Sequence, residues 1–226
     1  MLEFLSEYFS GQGIRLYAPV PLADCTVGRR YLLDRAEIDP ASGTVIMLAV
    51  PYFTHAAADP ARNLSAYAVP RDYHLFFRTL FDDLLPKLRE RFPADRFAGF
   101  ADHSPIDERD AAARAGLGIL GQNGMLITER YSSYVFLGEV ITSQVIPCTV
   151  QDIRTCENCG ACRRACPMGE IGTCLSALTQ KKGELTDAEA AQLRRYGLGL
   201  RHLRRGLPAH TPRPAGRNDL QRDPVL

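Results

Sequence analysis

Five of the seven cysteines in this 226-residue chain lie between positions 156 and 174. Four of them form the run C-x2-C-x2-C-x3-C-P, which spans residues 156–167. Three thiolates at this spacing can enclose one iron–sulfur cubane, and the fourth, held by the proline turn, points toward a second cluster. Zinc sites usually divide their ligands between two separated pairs, and disulfides inside so short a run would be strained. The run therefore predicts an iron–sulfur module.

The same region sets a limit on how many clusters can form. We predict that the metal ligands are the four cysteines of the run and one that follows it, namely Cys156, Cys159, Cys162, Cys166 and Cys174. Each cubane takes four cysteines, so two clusters need more thiolates than these. No cysteine follows Cys174. The sequence as it stands is expected to hold at most one cluster.

Bulk properties place few other limits on the function. The formal net charge of +1 favours neither a polyanionic nor a polycationic partner. No apolar run reaches the roughly 18 residues of a membrane span. The first ten residues carry Glu3 and Glu7 and lack the basic start of a signal peptide. We therefore expect a cytoplasmic protein with no membrane contact.

Hydrophobic periodicity divides the chain into three parts. Helical spacing is expected over residues 2–10, 72–91, 106–115 and 186–195. Apolar runs bounded by Gly or Pro predict strands over residues 14–20, 44–50 and 134–141. This alternation indicates an α+β or α/β catalytic domain over residues 1–147. Residues 148–196 would form an incomplete ferredoxin-type 4Fe-4S domain, and residues 197–226 an aberrant, disordered tail.

A second informative stretch covers residues 101–124. Asp102 to Pro105 are typical of a turn before a helix. The glycines Gly116, Gly118 and Gly121 form a G-x-G-x-x-G string, but it follows a predicted helix instead of a strand, so the dinucleotide-binding context is missing. Two interpretations stay open, a structural loop and close approach of the backbone to a large flat cofactor.

These motifs together resemble the epoxyqueuosine reductase family over residues 40–197. The resemblance is carried by the stretches Asp102-x-Ser-Pro, Arg114-Ala-Gly-Leu-Gly, Phe136-Leu-Gly-Glu139, Cys174-Leu-Ser-Ala-Leu, Arg71-Asp-Tyr-His74 and the cysteine run. It implies reduction of epoxyqueuosine to queuosine in tRNA by a monomeric enzyme with cobalamin and two [4Fe-4S] clusters. It also implies an electron donor such as ferredoxin or flavodoxin. The catalytic domain would be similar to that of corrinoid reductive dehalogenases.

The resemblance also assigns roles to single residues. Asp102 matches the acid that protonates the leaving oxygen, and His74 and His103 are alternative acids. The predicted corrin contacts are Tyr67, Arg71, Tyr73, Asn123 and Leu126. The remaining cysteines, Cys25 and Cys148, are expected to be small buried residues.

The chain departs from the family after Tyr196. The family continues there with a second cysteine group, whereas this chain has leucines at a matching spacing, Leu200, Leu203 and Leu207. Arginine greatly outnumbers lysine, which suggests a GC-rich gene. Leucine in such a gene is usually encoded by CTG. When the next codon begins with C, the cysteine codon TGC lies one nucleotide downstream. Reading one nucleotide downstream restores the C-x2-C-x3-C-P spacing. We therefore expect a frameshift near codons 198–200; an arginine-rich tRNA-binding arm is the alternative.

Two other functions fit part of the pattern. One is a corrinoid-dependent reductase of a small molecule, which the missing export signal disfavours. The other is an electron-transfer iron–sulfur protein without chemistry of its own. The long domain that precedes Pro147 disfavours that reading, because a ferredoxin does not need it.

Overall fold

A computed structural model describes residues 1–54, 66–166, 177–178 and 181–193. The helices in these ranges are α1 (Leu2–Gly11), α2 (Arg30–Arg35), α3 (Tyr73–Arg91), α4 (Glu108–Arg114), α5 (Ala161–Ala165) and α6 (Asp187–Leu193). Short 3-10 turns occupy Leu22–Asp24 and Ala66–Ala68. Among these helices none combines the length and the apolar character needed to cross a membrane.

The strands form one main sheet and one small hairpin in the described part of the chain. They are β1 (Tyr17–Pro21), β2 (Thr44–Pro51), β3 (Phe97–Phe100), β4 (Ile119–Leu120), β5 (Leu126–Ile127) and β6 (Val135–Thr142). The main sheet has the order β1-β2-β6-β3, and β4 pairs with β5. Every ladder is antiparallel. The predicted mixture of helices and strands is confirmed, and the antiparallel pairing makes it an α+β arrangement.

The sheet separates two apolar cores, because successive residues of a strand face opposite sides. On one side Phe136 and Val140 of β6 pack with the aromatic residues of α3. On the other side Ile141 packs with the buried alanines of α4. The central strand β2 is buried along its whole length, as its unbroken apolar sequence predicts.

Two glycines allow α3 to lie directly on the sheet. A Cβ at Gly138 would stand 2.4 Å from the Phe77 ring, and a Cβ at Gly99 would stand 2.5 Å from the Phe81 ring. Phe77 and Phe81 are four residues apart, so they project from the same face of the helix. The absence of two side chains on the sheet therefore makes room for two aromatic rings.

The predicted helices and strands are found, with shifted ends. The helix expected over residues 72–91 uses Asp72 as its N-cap and continues through Pro86. The helix expected over residues 106–115 is shorter and begins after its N-cap Asp107. The strand expected over residues 14–20 begins at Tyr17. The strand β3 and the hairpin β4–β5 were not predicted.

The last described helix begins with a capping box. The Thr186 amide donates to the Glu189 carboxylate, and the Glu189 amide donates to the Thr186 hydroxyl. The predicted tail, residues 197–226, lies outside the described residues, as does Cys174.

Candidate functional site

Asp102 lies just after the end of β3, in the loop between β3 and α4. Its backbone has φ 66°, a left-handed conformation that few residues other than glycine adopt. Its amide donates to Glu108 Oε1 at 3.2 Å. Its side chain is 67% exposed. The predicted acid is therefore on a constrained backbone and open to a substrate.

His74 connects Asp102 to the start of α3. Its Nδ1 is 2.7 Å from Asp72 Oδ1, and its Nε2 is 3.5 Å from Asp102 Oδ2. Partial burial lowers the pKa of His74, but its hydrogen bonds with the two carboxylates outweigh that effect, so the pKa lies above the ordinary value of 6.5. The pKa of Asp72 is lowered mainly by the same hydrogen bond. The site thus places an imidazole of raised pKa beside Asp102.

His103, the other alternative acid, is engaged elsewhere. Its Nε2 is 2.8 Å from the Tyr31 hydroxyl. The Arg35 guanidinium lies over the Tyr31 ring, 5.3 Å from its centroid. Of the two histidines considered from the sequence, the one that the structure places against Asp102 is His74.

Tyr73 lies beside His74 and Asp102, and its ring together with that of Phe136 forms what we call the aromatic wall of the site. Its ring stacks on Phe136 with centroids 4.3 Å apart and lies 4.0 Å from the His74 ring. Burial, followed by the negative charge of Asp102, raises the pKa of Tyr73 to about 12. Tyr67 packs against the same apolar core as Tyr73. Of these two predicted corrin contacts, Tyr73 adjoins the predicted acid.

The other three predicted contacts lie apart from one another. Arg71 is exposed just before the N-cap of α3. Leu126 is 4% exposed and lies in the core on the α4 side of the sheet, where it fills the hairpin interior. The side-chain nitrogen Nδ2 of Asn123 is buried and makes no hydrogen bond within the described structure. Asn123 is therefore the one of the three that offers an unused donor.

The glycine string is explained largely by its own hairpin. A Cβ at Gly118 would approach the Ile127 carbonyl oxygen to 2.5 Å, and a Cβ at Gly121 would approach Asn123 Oδ1 to 2.3 Å. Gly116 has φ 79° and ends α4. The structural interpretation of these three glycines is thus sufficient for their presence.

The first cysteines are attached to this hairpin. The Cys156 amide donates to the Leu120 carbonyl at 3.0 Å, and the Gln122 amide donates to Cys156 Sγ at 3.2 Å. Asn158 and Gly160 both have left-handed backbones, with φ of 53° and 71°, so the chain turns sharply between the cysteines. Cys162 and Cys166 are buried and Cys159 is exposed.

The described residues do not gather three Cys, His, Asp or Glu side chains at metal-binding distance. The predicted ligand Cys174 lies outside the described ranges. The ligand assignment therefore stays a prediction. Of the other cysteines, Cys25 is buried as expected, with a pKa raised to about 12 chiefly by burial. Cys148 is only half-buried.

Two functional candidates were missed from the sequence. Glu108 accepts a hydrogen bond from the Asp102 amide, and Glu139 is a fully buried carboxyl on β6. The sequence held a signal for the second, because Glu139 interrupts an otherwise apolar strand.

Sequence comparisons match the middle of the chain to one enzyme family. Residues 33–103 match the family model described as "Epoxyqueuosine reductase QueG, DUF1730". The chain is similar to the epoxyqueuosine reductase of Synechocystis, with 35% identity over 138 residues, which cover 60% of this chain and 48% of that protein. The chain thus spans about half the length of the curated relatives that it matches.

Solved structures share the fold over most of the chain. An epoxyqueuosine reductase from Bacillus subtilis, with its catalytic aspartate loop swung out of the active site, has a TM-score of 0.74 at 23% identity. That match covers 92% of this chain and 65% of the other. An epoxyqueuosine reductase in complex with an epoxyqueuosine-modified tRNA stem loop has a TM-score of 0.70 at 24% identity, with 92% and 64% covered.

The chain is thus similar in sequence to about half of a protein named epoxyqueuosine reductase, and it shares the fold of solved structures with that name.

Proposed function

We propose that the chain is the catalytic part of an enzyme that reduces epoxyqueuosine to queuosine in tRNA. Removing an epoxide oxygen to leave an alkene takes two electrons and two protons and releases the oxygen as water. The protein must therefore present a proton donor beside a source of electrons. A solved relative binds an epoxyqueuosine-modified tRNA stem loop, which supports the same substrate class here.

The observation that carries the proposal is the placement of Asp102. Its carboxyl is exposed on a left-handed turn and adjoins His74, whose pKa is raised, so a proton lost to the substrate can be replaced through the imidazole. A relative of the same fold has a catalytic aspartate on a movable loop. Asp102 acts as the general acid, and His74 holds its carboxylate and resupplies the proton.

The cysteine segment fits a set of iron–sulfur ligands by its chemistry. Cys156, Cys159 and Cys162 would hold one cubane, and Cys166 and Cys174 would contribute to a second. The left-handed turns between the first cysteines keep the loop small enough to surround a cluster. When bound, the clusters would supply single electrons. A protein donor such as ferredoxin or flavodoxin would refill them.

The aromatic wall and the glycine hairpin fit a corrin cofactor in part. Tyr73 offers aromatic surface beside Asp102, Tyr67 offers it on the same apolar core, Asn123 offers the unused amide donor, and Arg71 offers an exposed positive charge. Cobalamin, when bound, would deliver electrons to the substrate carbon. The Leu126 side chain is buried by protein, so it would support a bound corrin only indirectly, by holding the β4–β5 hairpin in place. We also propose that the protein is a cytoplasmic monomer whose domains end at residues 147 and 196.

An activity test of the acid should bypass the incomplete electron supply. We expect the chain, given chemically prereduced cobalamin, to convert an epoxyqueuosine-containing tRNA stem loop in a single turnover. Asp102→Asn should bind cobalamin normally but lower the conversion rate by about 10²- to 10⁴-fold, the usual contribution of a positioned acid. Asp82→Asn, an exposed aspartate on α3, is the matched control.

The outcomes separate the alternatives. Full activity in Asp102→Asn rejects the acid assignment. Cobalamin binding, seen as a change in its absorption spectrum, together with no conversion of the stem loop would favour a reductase of a small molecule. Absence of cobalamin binding would favour an electron carrier.

A further inference from the structure

Glu139 is a buried carboxyl that the proposed chemistry does not use. Glu139 lies on β6, where it pairs with Met47 of β2 on one side and with Phe100 of β3 on the other. Its side chain is 0% exposed. Within the described residues neither of its oxygens has a hydrogen bond of standard geometry. Burial, and after it the nearby charge of Glu108, raise the pKa of Glu139 well above the usual range and so favour its protonated form.

Glu108 connects this buried acid to the Asp102 loop. It is the first residue of α4, half-buried, and its Oε1 accepts the Asp102 amide at 3.2 Å. The pKa of Glu108 is raised, first by burial, while its polar contacts with Glu139 and with the Asp102 amide oppose that rise. Two carboxylates cannot hydrogen-bond to each other, but an acid and a carboxylate can. The proton of the pair therefore belongs on Glu139.

The Asp102 backbone needs such support. A left-handed conformation is unfavourable for a residue other than glycine, and such strain persists only where surrounding contacts fix it. The loop after Asp102 is held by the Arg29 guanidinium on the Ser104 carbonyl at 3.0 Å. At Asp102 itself the amide contact is with Glu108.

We propose that Glu139 and Glu108 form a buried acid–carboxylate pair that positions Asp102. The Glu139 carboxylic acid donates to the Glu108 carboxylate, which in turn holds the Asp102 amide and fixes the left-handed turn. The catalytic consequence rests on the proposed function, but the pair itself does not. Both glutamates are positioning residues, since neither touches the substrate.

Hydrogen exchange at the Asp102 amide tests the pair directly in the full chain. Glu108→Ala should speed exchange of this amide about 10-fold or more, because its acceptor is removed. Glu139→Gln should keep exchange within about 3-fold of the unchanged protein, because the glutamine amide can still donate to Glu108. Glu139→Met, similar in shape but without a donor, should speed exchange about as much as Glu108→Ala. Glu90→Gln, an exposed glutamate on α3, is the control.

Urea denaturation distinguishes positioning from general support of the fold. Removing one member of a buried pair leaves the other without its partner and destabilises the fold. Glu139→Met should therefore lower the urea midpoint, but exchange should become faster at the Asp102 amide more than at the other amides of the chain. A lower midpoint with uniformly faster exchange would mean that Glu139 is only structural, and would overturn the proposal. So would unchanged Asp102 exchange in both Glu108→Ala and Glu139→Met.

The single-turnover assay adds the catalytic consequence. Glu139→Met should slow stem-loop conversion about 10-fold without weakening cobalamin binding, and Glu139→Gln should restore it. If the unchanged chain converts no stem loop, the proposed function fails, and the exchange experiment still decides whether the pair exists.

Discussion

At the scale of single residues, the site is defined by three carboxyls in different environments. Asp102 is exposed, Glu108 is half-buried, and Glu139 is fully buried with a pKa raised well above the usual range. His74 is held between Asp72 and Asp102. Because only an exposed carboxyl can meet a large substrate, we propose Asp102 as the reacting group and the two glutamates as the groups that set its position.

The pairing of His74 predicts a pH dependence of stability. Since its pKa is raised in the folded protein, its stabilising contribution is complete below the unfolded pKa of about 6.5 and is lost as pH rises through the folded value. Asp72→Asn keeps an N-cap for α3 but removes a charge partner of His74. NMR titration should show a lower pKa for His74 in this variant, and the loss of unfolding free energy should be larger at about pH 5.5 than at about pH 8.5.

Asp39→Asn, an exposed aspartate before β2, is the control for that measurement and should leave the His74 titration unchanged. An unchanged His74 pKa in Asp72→Asn would contradict the hydrogen bond between Asp72 Oδ1 and His74 Nδ1, which are 2.7 Å apart.

At the scale of elements, strand β6 organises the site through its two faces. One face carries Gly138 beneath the Phe77 ring and so lets α3 bring His74 to the end of the sheet. The opposite face carries Glu139 toward α4, which begins at Glu108. A single strand therefore fixes both the helix that supplies the histidine and the helix that supplies the carboxylate.

The contact of β6 with α3 can be tested by overpacking. Gly138→Ala should lower the free energy of unfolding by about 1–3 kcal/mol, because the new methyl group overlaps the Phe77 ring. Gly11→Ala, at the end of α1 where nothing lies within 4 Å of the new Cβ, should be close to neutral. Urea denaturation of the two variants measures the difference. Equal stabilities would show that α3 moves away from the sheet at no cost.

At the scale of the whole molecule, the cysteine segment is joined to the catalytic domain through the β4–β5 hairpin. Leu120 accepts the Cys156 amide and donates its own amide to the Arg154 carbonyl, while Gln122 donates to the Cys156 sulfur. A hydrogen bond to a cluster sulfur is one of the contacts that tune a cluster's reduction potential. The hairpin would thus connect the proposed electron supply to the proposed corrin site.

The cysteine count predicts the metal content of the chain. Iron and sulfide analysis after anaerobic reconstitution should give at most one cluster, about four irons per chain, whereas a frame-corrected gene should give about eight. Cys159→Ser should lose iron, and Cys148→Ser, outside the run, should not. Resequencing codons 196–200 tests the frameshift itself. Eight irons in the chain as it stands would show that the ligand count is wrong.

Much of the fold could be predicted from periodicity. Two long segments were predictable, the apolar run that forms β2 and the helically spaced segment that forms α3. Their hydrophobic periodicity fits a strand in the first case and a helix in the second. Strand β3 was missed because Phe97–Phe100 is short and contains a glycine, so it becomes a strand only by pairing with β6. The glycine string was ambiguous because close packing within a hairpin and close packing on a cofactor both require the same residue.

The sequence by itself determined the chemistry that is available: a cysteine run with cluster spacing, an aspartate in a turn, and the family to which both are similar. Which groups meet was decided by the tertiary structure. His74 and Asp102 are 28 residues apart, and Glu108 and Glu139 lie on different elements; antiparallel pairing of β3 with β6 brings them together. The raised pKa of Glu139 likewise depends on the tertiary structure, because desolvation depends on what surrounds a carboxyl and not on its neighbours in the chain.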